Sequence, residues 1–288
     1  MNRAIILLIA AGALLLACSE PPATKKVLVI GIDGVRPDVL AQISTPQIDA
    51  LIAAGAYNGA VVSKARTVSG PSWSSILTGV WPEKHGVNSN DLSGNNYDEY
   101  PDFLTRLELE RPELNTFAVV DWPPLGTRSS GGPLLSDTID VKLNFDGDEV
   151  GYAAADAQSV AAAARYIVNQ DPDAAFVYIG YPDVAAHDHG VSSEYHAAIG
   201  MADAHVGTLV DAVRSRATYA AEDWLILVTT DHGHKAEGGH GGVTPEERTV
   251  FYLAAGPSAL SGSAVESANL VDIAVTALAQ LKVEADSD

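Results

Sequence analysis

Short apolar runs alternate with longer segments whose apolar residues recur every three or four positions. The stretch "KKVLVIGID" at 25–33 is continuous and rich in β-branched residues, the pattern of a strand covered on both faces. Similar runs predict strands in "GAVVSKARTV" (59–68), "TFAVVDW" (116–122), "AAFVYIGY" (174–181), "DWLILVTT" (223–230) and "TVFYLAAG" (249–256). Between them, helical spacing marks "PQIDALIAAG" (46–55), where Thr45 and Pro46 offer an N-cap and first turn and Gly55 a stop. The same spacing marks "PSWSSILTG" (71–79), "YPDFLTRLEL" (100–109), 153–169, 192–216 and the final "NLVDIAVTALAQL" (269–281). Strands alternating with helices predict an α/β fold with a mainly parallel sheet. Residues 91–150 are richer in Asn, Asp, Gly and Pro. They read as a partly irregular excursion over the sheet edge, with room for a small cap.

The first 17 residues depart from this pattern. "MNRAIILLIAAGALLLA" is one arginine followed by an unbroken apolar run, too short for a membrane span and shaped like a secretory signal. Its "LLAC" ending resembles a bacterial lipobox, which would make Cys18 the lipidated first residue of an exported, membrane-anchored protein in the periplasm or at the cell surface. Residues 18–25 then form a tether, and 26–288 a single domain. Cys18 is the only cysteine, so no intrachain disulfide can form. The formal charge of −20, from 17 basic and 37 acidic side chains, repels polyphosphate backbones and argues against binding nucleic-acid polymers. An anionic substrate would need local positive charge, which metal ions can supply. Nothing in the sequence sets an oligomeric state.

Candidate chemistry gathers at the strand ends. "VLVIGI" runs into Asp33, "FVYIGYP" into Asp183 and "LILVTT" into Asp231. Ligands of open parallel sheets bind beyond the carboxyl ends of the strands, so three carboxylates delivered there should converge. His187 follows Asp183 by four residues, on one face of a helical turn. His232 follows Asp231 directly, and His240 lies eight residues further on among glycines 238, 239, 241 and 242, which free the backbone to fold back. Asp33, Asp183, His187, Asp231, His232 and His240 are the donor types of zinc sites. Their number suits a pair of metals about 3.5–4 Å apart better than one. Ser69 stands between a strand and a helix start, where free backbone N–H groups favour an anion.

The segments "VLVIGIDGVRPDVL", "STPQIDALIAAGA", "SGPSWSSILTGVWPEKHGV", "YPDVAAHDHG" and "TTDHGHKAEGGHGG" resemble, in order, the alkaline phosphatase superfamily, and within it the type I phosphodiesterase / nucleotide pyrophosphatase group. The resemblance runs from residue 26 to about 282. It implies a compact three-layer α/β/α sandwich with Ser69, ten residues before Gly79, as nucleophile. Asp33, Ser69, Asp231 and His232 would hold one zinc ion, Asp183, His187 and His240 a second, and Asn90 would contact the phosphoryl group. The implied chemistry is two in-line displacements through a phosphoserine, on a small phosphoester substrate.

Two departures bear on specificity. Nucleotide-acting members usually carry threonine where this chain has Ser69, and their last histidine ligand lies much further downstream than His240. Nucleotide specificity therefore does not carry over, and a phosphomonoesterase is an alternative. A sulfatase or phosphonate hydrolase is a weaker one, because Trp73 stands where sulfatases have arginine. The remaining alternative is a non-catalytic surface lipoprotein on the same fold. His189 and His234 each lie two residues from an expected ligand and should point elsewhere. His85 should fix a loop, His196 and His205 should be structural, Arg36 should pair with Asp38, and Trp73 should line the leaving-group pocket or pack in the core.

Overall fold

The computed structural model describes residues 23–262, 265 and 267–285. The signal sequence and Cys18 lie outside them. Among the described residues no helix is long and apolar enough to cross a membrane.

One seven-stranded sheet organises the chain, in the order β2-β7-β6-β1-β5-β3-β4. The strands are β1 (Thr24–Ile32), β2 (Ala56–Val62), β3 (Thr116–Val120), β4 (Val141–Asn144), β5 (Ala174–Ile179), β6 (Glu222–Thr229) and β7 (Thr249–Ala255). β1 pairs in parallel with both β5 and β6, and β3 with β5 and β4. β7 runs antiparallel to β2 and β6. The main helices are α1 (Pro46–Ala54), α2 (Ser69–Thr78), α3 (Phe103–Glu110), α4 (Tyr152–Asn169), α5 (Tyr181–His189), α6 (Ser193–Arg214) and α7 (Asp272–Gln280).

The period-two alternation of the strands divides the core in two. Val27 and Val29 of β1, with Phe176 and Tyr178 of β5, join Trp73, Ile76, Leu77, Phe103, Leu107 and Ala277 under α2, α3 and α7. The opposite face sends Leu28, Ile30, Ile32, Val177 and Ile179 against Leu51, Val160, Ile167, Ile199 and Val206 of α1, α4 and α6. Helices thus cover both faces, the three-layer arrangement expected from the resemblance. A strand covered on both sides has no polar face, which is why its sequence reads as an unbroken apolar run.

Three expectations change. Residues 91–150 do not form an excursion alone, because β3 and β4 from this segment extend the sheet itself. β4 escapes a sequence reading because it is four residues long and half-buried throughout, so it carries no continuous apolar signal. The second strand spans 56–62 rather than 59–68, and Thr45 caps α1 by position only, its hydroxyl meeting Asp49 instead of a backbone N–H.

Candidate active site

The carboxyl ends of β6, β1 and β5 lie side by side, and each is followed at once by chemistry. Asp33 follows β1 directly, Asp231 comes two residues after β6, and Asp183 sits in the first turn of α5 just beyond β5. Sequence separations of up to about 200 residues therefore close to contact distances.

The first group surrounds Nε2 of His232. This atom lies 3.3 Å from Ser69 Oγ, 3.2 Å from Asp231 Oδ2 and 3.5 Å from Asp33 Oδ1. Asp33, Asp231 and His232 are all buried. The second group gathers on Asp183, whose Oδ2 is 3.6 Å from His187 Nε2 and whose Oδ1 is 3.6 Å from His240 Nε2. His187 and His240 present their Nε2 atoms to each other at 2.9 Å. The two groups adjoin, since Asp183, His232 and His240 also bring donor atoms within 4.8 Å of one another. All of the expected ligands meet here.

Local structure explains why. On α5 the four-residue spacing stacks Asp183 and His187 on one helical face. His240 returns through left-handed backbone at Gly238, Gly239 and Gly241, with φ of 91°, 78° and 103°, which side-chain-bearing residues rarely adopt. Its Nδ1–H donates to the Thr67 carbonyl at 2.7 Å, fixing the tautomer that leaves Nε2 facing the site. Glu247 holds the return, accepting from the backbone N–H of Gly242 and of Thr244.

Ser69 is the first residue of α2, so its hydroxyl sits among the free N–H groups of a helix start. Asn90 is exposed and lies beside it, its Oδ1 accepting from Gly70 N at 2.8 Å. With the oxygen so engaged, its amide NH₂ is the group left to meet an anion. A Cβ on Gly70 would fall 2.1 Å from the Ser89 carbonyl oxygen, so this approach requires glycine after the serine.

The electrostatics ask for cations. Burial, and then the Asp183 carboxylate, push Asp33 up to about 7. Burial with the charges of Asp33 and Asp183 pushes Asp231 well up, and burial with His240 pushes His232 well down. For Asp183 burial acts upward, but the imidazoles of His234, His232 and His240 close around it outweigh that and hold it at about 2. Buried atoms without a hydrogen-bond partner include Asp33 Oδ1, Asp183 Oδ1, Asp231 Oδ2 and both ring nitrogens of His234. Unpaired buried polar atoms are costly and rare. Here they are carboxylate and imidazole donors converging on two points, so the residues present fit divalent metal ions.

One residue departs from its sequence reading, and two more make contacts with Asp33 that no motif foretold. His234 was expected to point away, yet it is fully buried with Nε2 2.9 Å from Asp183 Oδ1. Trp73 packs in the core rather than lining a pocket, and its indole N–H donates to Asp33 Oδ2 at 2.8 Å. Tyr178, which no motif singled out, donates to the same oxygen at 2.6 Å; only its place one residue before the end of β5 could have flagged it. His189 and His196 are exposed, and His205 is half-buried on α6. His85 fixes a loop as expected, Nδ1 accepting from Val87 N and Nε2 facing Ser75 Oγ. Arg36 pairs with Asp38 at 2.7 Å.

Comparison with known proteins places this geometry. In sequence the chain is 21% identical over 252 residues to the Bos taurus bis(5'-adenosyl)-triphosphatase ENPP4, covering 80% of this chain and 52% of that protein. It is 31% identical over 85 residues to Homo sapiens ectonucleotide pyrophosphatase/phosphodiesterase family member 5, covering 30% and 18%. It thus spans about half the length of ENPP4, and a smaller part of the human protein. Among solved structures, murine ectonucleotide pyrophosphatase/phosphodiesterase 5 superposes with a TM-score of 0.72 at 17% identity, covering 91% of this chain and 96% of that one. The phosphonate monoester hydrolase of Agrobacterium radiobacter gives 0.71 at 15%, covering 90% and 74%. Both likenesses concern the fold. Residues 27–247 match the family described as type I phosphodiesterase / nucleotide pyrophosphatase, and the chain belongs to that family.

Proposed function

We propose that this protein is an exported phosphoester hydrolase that holds two divalent metal ions, most simply Zn²⁺, and works through a phosphoserine intermediate. One observation carries the reading: Ser69 Oγ stands at a helix N-terminus 3.3 Å from His232 Nε2, inside a group of donors that adjoins a second such group. Asp33, Ser69, Asp231 and His232 would hold one ion, and Asp183, His187 and His240 the other. The ions would supply charge neutralisation on the phosphoryl oxygens and activation of a weak hydroxyl nucleophile. Ser69 attacks phosphorus in line with the leaving oxygen, which departs and is protonated as the alcohol, and water on the opposite side later frees the serine, releasing phosphate from a monoester or the phosphate monoester from a diester. The N–H groups at the start of α2 and the Asn90 amide bind the developing negative charge.

A small phosphoester fits this site. Murine ectonucleotide pyrophosphatase/phosphodiesterase 5 has been solved with AMP, which makes a nucleotide ester one natural arm of an assay. The test compares an aryl phosphate, a bis-aryl phosphate, a nucleotide aryl ester and an aryl sulfate on the zinc-loaded protein and on Ser69→Ala. We expect phosphoester turnover to fall by about 10³-fold or more in the variant, and ³²P to be trapped on Ser69 of the wild type. Full turnover by Ser69→Ala would overturn the nucleophile, and preference for the sulfate would overturn the reaction class. Export and anchoring through Cys18 rest on the sequence of residues 1–18. Loss of acyl labelling and of membrane association in Cys18→Ala is the expected outcome.

A further inference from the structure

The second group of donors contains one more imidazole than the family resemblance assigns to it. His234 is fully buried, and neither of its ring nitrogens has a hydrogen-bond partner. Its Nε2 is 2.9 Å from Asp183 Oδ1, yet that oxygen is also without a partner. The separation is right for a hydrogen bond and the direction is not. Two donor atoms that approach without aiming at each other are arranged as neighbours around a common centre.

The distances agree with that arrangement. Zinc bonds of about 2.0–2.2 Å to imidazole nitrogen and carboxylate oxygen put adjacent donor atoms about 2.9 Å apart at a right angle, and about 3.3–3.6 Å apart at wider angles. The observed separations are 2.9 Å for His234 Nε2–Asp183 Oδ1 and for His187 Nε2–His240 Nε2, and 3.6 Å for His240 Nε2–Asp183 Oδ1 and for His187 Nε2–Asp183 Oδ2. Asp183, His187 and His234 also bring donor atoms within 4.8 Å of one another. The fold holds His234 firmly in place. Its carbonyl accepts from Arg36 Nη1 at 3.2 Å, and a Cβ on Gly34 would sit 2.7 Å from its Nε2. Gly34 has a φ of 69°, so the β1 turn both requires glycine and leaves the space that the imidazole fills.

We infer that His234 is a protein ligand of the second metal ion, giving that site three imidazoles and one carboxylate instead of two imidazoles and one carboxylate. Four protein donors would hold the ion and would still let a substrate oxygen join it. An imidazole-rich set also selects zinc, cobalt or nickel over magnesium and calcium.

The inference rests on the two-metal reading above, and the test separates the two. Wild-type protein labelled with ¹⁵N-histidine is loaded with ¹¹³Cd²⁺, and cadmium–nitrogen couplings are counted at each ion. His187, His234 and His240 should couple to one cadmium and His232 to the other. Couplings from only His187 and His240 at that ion overturn the role of His234, while uptake of no metal overturns the reading beneath it. Calorimetric Zn²⁺ titration of His234→Ala and His234→Gln, each checked for native circular dichroism, is the second arm. One site should lose at least about tenfold in affinity in both variants. Wild-type affinity in His234→Gln, which keeps a donor for Asp183, would show that the residue only orients that carboxylate.

Discussion

At the residue scale, the site depends on how single atoms of Asp33 are used. Trp73 Nε1–H and Tyr178 O–H both donate to Oδ2, while Oδ1 has no partner and faces His232 Nε2. The two donors fix the carboxylate plane and take up one oxygen, so that the other is presented to a cation. Groups that orient metal ligands in this way typically contribute 10–100-fold to metal affinity. Tyr178→Phe should therefore weaken Zn²⁺ binding at one site by roughly tenfold, with little change in fold, as read by competition with a chromogenic chelator. Unchanged affinity would leave the hydroxyl with a packing role only. The same scale explains the misreading of His234. His189 and His234 stand at the same two-residue spacing from a histidine expected to be a ligand. On α5 that spacing turns His189 away to solvent, whereas residues 232–235 form neither helix nor strand. Outside a helix, residues two apart can face the same side.

At the element scale, the return loop that carries His240 is held by one buried acid. The side chain of Glu247 is inaccessible, and it accepts from Gly242 N, Thr244 N and the Thr244 hydroxyl. Glu247→Ala leaves those donors unpaired and should cost about 2–3 kcal/mol of stability in urea denaturation. It should also loosen the second metal site. The α2 segment offers a separate, pH-dependent case. Burial pushes His85 from 6.5 down to about 4. Between those values the unfolded chain binds a proton that the folded protein refuses, so its contribution is intact above about pH 6.5 and is lost as pH falls towards 4. The loss amounts to at most about 3 kcal/mol. Denaturation curves at pH 7 and pH 4.5 should differ less for His85→Gln than for the wild type, and equal differences would remove His85 as the cause.

At the scale of the whole molecule, the sheet brings together carboxylates that repel one another. Two buried aspartates and a half-buried third, just beyond adjacent strand ends, raise the electrostatic cost of the metal-free fold, and bound cations would remove it. Dialysis against a chelator should lower the melting temperature. Restoring Zn²⁺ at about a hundredfold excess over Kd should return about 2.7 kcal/mol per site, or several degrees. No stabilisation by Zn²⁺ would contradict the metal reading altogether. The net charge of −20 acts in the same sense at long range, because an anionic substrate would approach a molecule of like sign and would need positive charge supplied at the site.

The order of strands and helices, the three strand-end aspartates and the Asp183–His187 pair were legible because they are local. An apolar run, a carboxylate at its end and a four-residue helical spacing are each set by the backbone period of one element. The glycines ahead of and behind His240 were legible for the same reason, since left-handed backbone leaves a compositional mark. Tertiary structure decided what depends on several elements at once. β4 joins the sheet through pairing with β3, with too few residues to announce itself. Trp73 and Tyr178 reach Asp33 from α2 and β5, and His234 reaches Asp183 through irregular chain that has no period to read. A sequence fixes which donors are available. Which atoms of those donors face one another is set by packing across strands up to about 200 residues apart.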